Sequence, residues 1–483
     1  LYFEPLDPES VLEVIHAETA PGDGPLPALV QFGGQTPLNL ATALVAEGVD
    51  IPGLTVDTID MAEERTRFAN LVDRLGIPQP QGGMATSIEE AIAVADRVGY
   101  PVIVRPSFVI GGLAIEFCYG QEDLVRQLAI ATAVDDDRPV RIDAYLEGLE
   151  VDVDAVCDGV EVLIPGLMEH VERAGVHSGD SVAVFPPQHL SVADQGLIVD
   201  AMTRVALAIG VRGLINAQFI VREDGVYLLE VNPRASRTVP FLSKVTGVPM
   251  VALATRVALG ATLAELGWVG GLRPPPAVVA VKAPVFSTSK LKGVDPAVGP
   301  GMRSTGEVIG IHTDARVALA KALLAASLRP PVPGPDGALV LVSISDRDKS
   351  RLPELAASLA GVGYRFAATA GTAAVLRASG YEAMDVEPLA DGVGAAGIQG
   401  APAILDVIAS GQVSLVVNTP SPRSGPVRDA AAIRLAAVSE GILCLTSMDT
   451  AIAAARSLDA SVQAQVADVR PLDAWLAAGV PGA

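Results

Sequence analysis

Cysteine, aromatic residues and long apolar runs are all scarce in this chain. Only Cys118, Cys157 and Cys444 occur. Their odd number and their spacing exclude a disulfide-stapled scaffold and a cysteine-ligated metal, and point to a reducing cytoplasm. Phe, Tyr and Trp make up 4% of the residues and apolar residues 50%, so the core must be built from Ala, Val and Leu. No run approaches the ~18 apolar residues that span a bilayer, and the first residues lack the basic-then-apolar pattern of a signal segment. Cations are also few, 34 Lys and Arg against 56 Asp and Glu for a net charge of −22. Nucleic acid and anionic membrane are thereby excluded as main partners, and an anionic ligand must be held by local cations. What remains, over 483 residues, is α/β material for roughly two to four domains.

The chemistry that is present concentrates between Asn216 and Arg237. Apolar and polar residues alternate on both sides of Glu223-Asp224-Gly225, which marks a β-hairpin. A three-residue loop with Gly225 left-handed puts Arg222 opposite Val226, Gln218 opposite Glu230 and Asn216 opposite Asn232. A two-residue Asp-Gly turn would slip this pairing by one. Four oxygen-bearing side chains then share one face. Oxygen-only ligands with one carboxylate suit Mg2+ or Mn2+ also held by phosphate, and not zinc. Pro233 keeps Asn232 extended, and Arg234 and Arg237 follow where a transferred phosphoryl group needs cations. A solvated hairpin is the bland reading of the same residues, and the motif alone does not decide.

The chain opens Leu1-Tyr2-Phe3-Glu4 without an initiator methionine, and is expected to be cut from something longer. A strand is predicted from Ala28 to Phe32, followed by a helix from Leu38 to Glu47, one unit of a doubly wound sheet. So few units cannot sustain a parallel sheet, which predicts an incomplete first domain. A charged helix is predicted from Met61 to Leu75, with Arg65 by spacing a partner of Glu63 or Glu64 on a solvated face. A helix from Ile88 to Val98 and a strand from Tyr100 to Val104 lead to Arg105, then Gly111-Gly112, then a strand from Leu113 to Tyr119. A cation followed by paired glycines fits a phosphate-covering loop and equally a plain turn. Residues from Arg141 to Asp158 read as a strand with a break. Glu150, Asp152 and Asp154 share one of its faces, to hold a ribose hydroxyl or, for Asp154, to meet solvent. His170 and His177 lie among acids, but Gly175 and Gly179 break the helix that zinc ligation would need.

In this order, Arg105 with its Gly-Gly pair, Tyr145-Leu146 with Glu150, the 175–180 loop, Gln218 and Glu230-Val231-Asn232-Pro233-Arg234 resemble an ATP-grasp domain. The motifs around Arg105, Met168-Glu169-His170, Gly175 to Ser181, Glu230 to Phe241 and Gly299 to Glu307 resemble more closely the C-terminal half of the carbamoyl phosphate synthetase large chain. The resemblance covers nearly the whole chain. It implies an α/β fold: a partial Rossmann-like pre-ATP-grasp domain (1–60), an ATP-grasp domain (61–328), a Pro-rich linker (329–337), a Rossmann-like methylglyoxal-synthase-like effector domain (338–456) and a C-terminal tail (457–483). It also implies ATP-dependent phosphorylation of carbamate to carbamoyl phosphate, for arginine and pyrimidine biosynthesis.

The roles implied by the resemblance are these. Arg65 and Arg105 contact ATP phosphates, and Gly111 and Gly112 lie in the covering loop. Leu146, Glu150 and Gly175, Val176, His177 and Ser178 surround adenosine. Gln218, Glu230 and Asn232 match the ligands of Mg2+ or Mn2+, and Arg234 meets the transferred phosphate. Ser343, Lys349, Thr369, Thr372, Asn418 and Thr419 match nucleotide-effector positions. Glu172, Asp180 and Thr446 match an ornithine site. The chain departs from the pattern at Leu113, where relatives commonly carry arginine, at Ala144 in the adenine hinge, and at Ala283, where relatives have glutamate. Val386-Glu387-Pro388 and Gly400-Ala401-Pro402 stand where the family carries basic residues. Expected partners are the remaining N-terminal half of the large chain, a glutaminase small subunit and carbamate, in an oligomer. The competing readings are a biotin carboxylase or purine-pathway ligase, and a non-catalytic nucleotide-binding half.

Overall fold

The computed structural model describes residues 1–106, 115–132, 139–287, 293–387, 401–419 and 427–478. The chain divides into two compact units. One comprises Leu1–Ile110, Asp135–Glu169 and Phe185–Pro276, and the other Gly111–Val134, His170–Val184 and Ala277–Ala483.

In the first unit, strand Val140–Ala144 pairs antiparallel with Gly82–Ala85 and with Val102–Pro106. Strand Leu149–Cys157 pairs antiparallel with Gly213–Arg222, which pairs in turn with Gly225–Asn232. Helix Val192–Ile209 covers this sheet because Ile198, Ala201, Met202, Val205, Ala206 and Ile209 recur at helical spacing and make one buried stripe. Ser191 caps its first turn, and Gly210, left-handed at φ 82°, ends it.

The hairpin connection differs from the three-residue loop expected from the sequence. Gly225 pairs with Arg222, so the connection is the two residues Glu223 and Asp224, and Gly225 takes φ 147°, a backbone that side chains resist. The pairing that matters survives: Glu230 faces Gln218 and Asn232 faces Asn216. A register shift between Leu228 and Glu230 supplies the residue the turn lacks. Before the bulge Val226 and Leu228 enter the core, and after it Val231 does, so Glu230 and Asn232 come out on the opposite face.

Other expectations are corrected. Ala28 to Phe32 forms no strand; a parallel strand exists only through its neighbours' hydrogen bonds, and this segment has no ladder partner among the described residues. The Leu38 to Glu47 helix is two helices, Gln35–Asn39 and Ala41–Ala46. The Met61 to Leu75 helix is also two, Val56–Glu63 and Arg65–Arg74, because the Glu64 carboxylate accepts from Thr66 and Arg67 N–H and caps the second. The strand expected from Leu113 is Glu116–Cys118. Gly111, Gly112 and Leu113 lie outside the described residues.

In the second unit, strands Val279–Val285 and Gly306–His312 form an antiparallel pair covered by helix Ala315–Ala325. A separate five-stranded parallel sheet has the order Ala383–Val386, Tyr364–Thr369, Ala338–Ser343, Val413–Asn418, Leu443–Leu445. Along Ala338–Ser343, Val340 and Val342 enter one core and Leu339 and Leu341 the other, as a doubly covered sheet requires. Lys349 sits in a 3-10 turn, Asp346–Arg351, ahead of helix Leu352–Gly361. The C-terminal segment is folded: Trp475 is buried, with Lys321 Nζ and the Arg470 guanidinium both 4.6 Å from its ring centre. Among the described residues no single helix is long and apolar enough to cross a membrane.

Candidate functional site

Two rows of polar side chains cross the sheet of the first unit. Asp152 pairs with Gln218, which pairs with Glu230; Asp154 pairs with Asn216, which pairs with Asn232. Opposite residues on paired strands point to one side, so all six share a face. Asn232 Nδ2 donates to Glu230 Oε1 at 3.2 Å and to Asn216 Oδ1 at 3.4 Å, and Asn216 Nδ2 donates to Asp154 Oδ1 at 3.2 Å. The alternation of acids along strand Leu149–Cys157 allowed a solvated Asp154. Asp154 is instead 1% exposed. Burial pushes its carboxyl up to about 6, against the hydrogen bonds it accepts.

Cations meet the open end of these rows. Arg105 Nη1 lies 3.9 Å from Glu230 Oε2, and its Nε lies 3.9 Å from Asp143 Oδ2. Arg141 Nε binds Asp143 at 2.6 Å. Arg65, the first residue of its helix, is half-buried, and burial together with Arg105 pushes its guanidinium below the usual range while Asp143 and Glu230 oppose the shift. The sequence expectation of a solvated partner for Glu63 or Glu64 is thus corrected. Three guanidiniums face two carboxylates here, a local positive excess in a chain of net charge −22. The Arg105 Nε is buried with no hydrogen-bond partner among the described residues. A polyanion would supply that partner, and the oxygen donors of Gln218, Glu230 and Asn232 fit a hard divalent cation beside it. On the far side Arg234 Nη2 donates to Asn232 Oδ1 at 3.2 Å and its Nε to Gln35 Oε1 at 3.3 Å. Arg237 stands at the head of helix Thr238–Thr246.

Leu146, half-buried, and Glu150, buried, belong to this unit; Gly175, Val176, His177 and Ser178 belong to the second. There the 175–180 loop is held by the other quoted motif. His177 N–H donates to Gly299 O at 2.8 Å, and Asp180 accepts from Arg303 and Ser304 N–H, both at 2.8 Å. Buried Lys282 donates to Ser178 O at 2.8 Å. Gly175 has φ 110°, and a Cβ there would meet the Phe117 ring at 2.8 Å.

Sequence comparison supplies the family. Residues 64–266 match the carbamoyl-phosphate synthase L chain ATP binding domain, residues 1–61 the carbamoyl phosphate synthase preATP-grasp domain, and residues 351–446 an MGS-like domain. The carbamoyl phosphate synthase large chain of Thermomicrobium roseum is 52% identical over 459 residues, which is 95% of this chain. The chain is a homologue of the carbamoyl phosphate synthase large chain. It spans 42% of the length of that curated relative. Among solved structures, the biotin carboxylase domain of Hydrogenobacter thermophilus 2-oxoglutarate carboxylase matches with a TM-score of 0.54 at 20% identity, over 67% of this chain and 79% of that one. At that identity the likeness is one of fold.

In this chain the residues matched to effectors fall into two places. Glu172, Asp180 and Thr446 line one cavity of about 290 Å³, with Thr450 and otherwise mostly apolar neighbours such as Val182 and Leu443. Glu172 accepts from Val182 N–H and Thr450 Oγ1, both at 2.7 Å, and burial pushes its carboxyl up. Ala283 is buried and brings no charge. Ser343, Thr369 and Asn418 are the last residues of three adjacent parallel strands, the place where open α/β sheets bind ligands. Thr419 Oγ1 accepts from Ser345 N–H at 2.9 Å, and Lys349 pairs with Asp346 at 2.5 Å. Thr369 Oγ1 lies 3.4 Å from Thr372 Oγ1. Pro388 and Gly400 lie outside the described residues.

Arg141, Asp143 and Gln35 were not singled out as site residues, and Asp152 and Asp154 were read only as part of an acidic face that holds a ribose hydroxyl or meets solvent. The signal for Arg141 and Asp143 was their alternation with buried Val140 and Ile142; Gln35 contacts Arg234 from 199 residues away and left none.

Proposed function

We propose that this chain carries the carbamate-phosphorylating half-site of a carbamoyl phosphate synthase, an ATP-dependent ligase. The observation that carries the reading is the facing of Gln218, Glu230 and Asn232 by Arg65 and Arg105 on one side and Arg234 on the other. Gln218, Glu230 and Asn232 would hold Mg2+ or Mn2+, which supplies charge neutralisation at the phosphates when bound. Arg65 and Arg105 orient the polyphosphate, and Arg234 and Arg237 lie where charge builds on the transferred phosphoryl group. Leu146, Glu150 and the 175–178 segment are assigned to adenosine, and Gly111 and Gly112 to the covering loop, by family likeness.

The domain limits 1–60, 61–328, 329–337, 338–456 and 457–483 belong to the same reading. So do the rest of the large chain and a glutaminase small subunit as partners, a cytoplasmic oligomer as the assembly, and nucleotide and ornithine effectors at the strand-end crevice and the cavity. The test is ATP formation from ADP and carbamoyl phosphate by the 483-residue chain. Absence of this partial reaction in folded protein overturns the reading.

A further inference from the structure

We propose that Asp154 is a positioning residue that fixes, through one buried carboxylate, both the amide row that would hold the metal and the loop that carries Arg234 and Arg237. This rests on the function proposed above. Oδ1 of Asp154 accepts from Asn216 Nδ2 at 3.2 Å; Oδ2 accepts from Ser236 Oγ at 2.8 Å and from Thr238 Oγ1. Ser236 Oγ also accepts from Thr238 N–H at 3.0 Å, which caps a helix whose own N-cap residue, Arg237, makes no side-chain cap. In the other direction Asn216 Oδ1 accepts from Asn232 Nδ2, and Asn232 Oδ1 accepts from Arg234 Nη2. The segment from Asn232 to Thr238 is therefore tied at both ends to the same carboxylate.

The charge state explains why an acid stands where a neutral residue would be cheaper to bury. An ionised carboxylate only accepts, so Asn216 must turn its NH2 toward Asp154 and its oxygen toward Asn232. Asn232 must then turn its NH2 toward Asn216 and Glu230, which leaves its oxygen toward Arg234 and the phosphoryl side. An amide at position 154 can donate or accept, and the polarity of the whole row becomes free to reverse. Asp154 thus sets which atom of Asn232 the site presents.

The test uses the 483-residue chain with Asp154→Asn and Asp154→Ala, reading Mn2+ binding by electron paramagnetic resonance with the metal alone, thermal unfolding, and the kinetics of ATP formation. Outer-shell changes at metal sites typically cost about 10–100-fold. Asp154→Asn is expected to weaken Mn2+ binding ~10-fold and lower kcat ~10–100-fold, with KM for ADP within about twofold. Its Tm should stay level or rise, because a buried charge has gone. Asp154→Ala should show the same metal defect with a lower Tm. Unchanged Mn2+ affinity in folded Asp154→Asn, a wild-type chain that binds no Mn2+, or a Tm that falls in step with the metal defect in Asp154→Asn each overturns the inference. A wild-type chain that binds Mn2+ but forms no ATP sinks the parent reading alone, since the Mn2+ measurement still decides Asp154.

Discussion

Arg434 grips Asp295 with two prongs, Nε at 2.6 Å and Nη2 at 2.5 Å from the two carboxylate oxygens, and its remaining nitrogen donates to Asn418 Oδ1 at 2.9 Å. The Arg434 side chain is 4% exposed. Asn418 ends the strand at the proposed nucleotide crevice, and Asp295 begins the run that leads to Gly299, Arg303 and Ser304, the holders of the 175–180 loop. One guanidinium thus joins the two places.

Replacing Arg434 by Met should weaken the pH dependence of stability. Burial, the largest single influence, pushes the Asp295 carboxyl up, but the bond to Arg434, the Ala297 N–H and the charges of Arg434 and Arg303 together hold the group below its ordinary range. A depressed carboxylate stabilises the fold above its unfolded pKa, and loses that contribution as pH falls through the folded one. In Arg434→Met that contribution is lost while the Ala297 N–H, at 3.0 Å, and Arg303 still favour the charged carboxylate, so the depression shrinks and the variant loses less stability than wild type as pH falls. Breaking a buried pair costs roughly 3–5 kcal/mol, somewhat less here because Asp295 is partly exposed. Urea unfolding at pH 7 and pH 4 measures it: the gap between wild type and variant should be large at pH 7 and shrink at pH 4. A constant gap would show that packing, not charge, is lost.

Ornithine at about a hundred times its Kd should stabilise the folded chain by ~2.7 kcal/mol, if the cavity around Glu172 and Thr446 takes it. Glu172→Gln removes the charge that would meet an ammonium group and should abolish the shift. Lys349→Ala, at the strand-end crevice, should leave the ornithine shift intact and weaken binding of a nucleotide effector, with ATP affinity little changed. Thermal unfolding with each ligand separates these cases, and equal losses for both ligands in Lys349→Ala would show a misplaced effector pocket.

Much of this was legible in the residue pattern, for reasons that can be named. The Gln218–Glu230 and Asn216–Asn232 pairs follow from alternation, which is local. The route to them was misread, because a two-residue turn with a bulge at Leu229 and a three-residue loop without one give the same register beyond the bulge. Only burial distinguishes them, through Val226 and Leu228 in the core. Asp154 looked solvated because alternation fixes a face and not what covers it. Arg65 looked like a surface ion-pair partner because Arg105, Asp143 and Glu230 are distant in sequence.

Gly310→Ala should destabilise the second unit without touching the proposed active site. A Cβ at Gly310 would lie 2.1 Å from Ala318 O and 2.5 Å from Ala322 N, both backbone atoms of the helix covering its strand. Backbone cannot rotate away as a side chain can, so helix Ala315–Ala325 must shift, at the upper end of the usual overpacking cost of about 1–3 kcal/mol. Urea unfolding should show a lower midpoint. An unchanged midpoint would mean that helix and strand are less closely seated than the backbone indicates.

Glu230→Gln should cut the rate of ATP formation from ADP and carbamoyl phosphate by about 10²–10³-fold while leaving the fold intact. Glu230 is the one carboxylate among the proposed metal ligands, and its side chain is 43% exposed. The substitution keeps shape and polarity, so Asn232 can still donate to it and the hairpin need not rearrange. What it removes is negative charge between Arg105 and the metal position. Loss of a metal ligand leaves developing phosphate charge poorly neutralised, and an electrostatic contribution of this kind is typically worth about 10²–10³ in kcat. Arg105 would at the same time lose its nearby counter-charge, which favours ADP: the expected outcome is a fall in kcat with KM for ADP unchanged or lower. That split separates a metal role from a general loss of the nucleotide site, which would raise KM. Circular dichroism and Tm matching wild type would establish that the variant is folded. An undiminished partial reaction in such a variant would remove Glu230 from the machinery, and with it the reading of the two-row sheet face as a phosphoryl-transfer site.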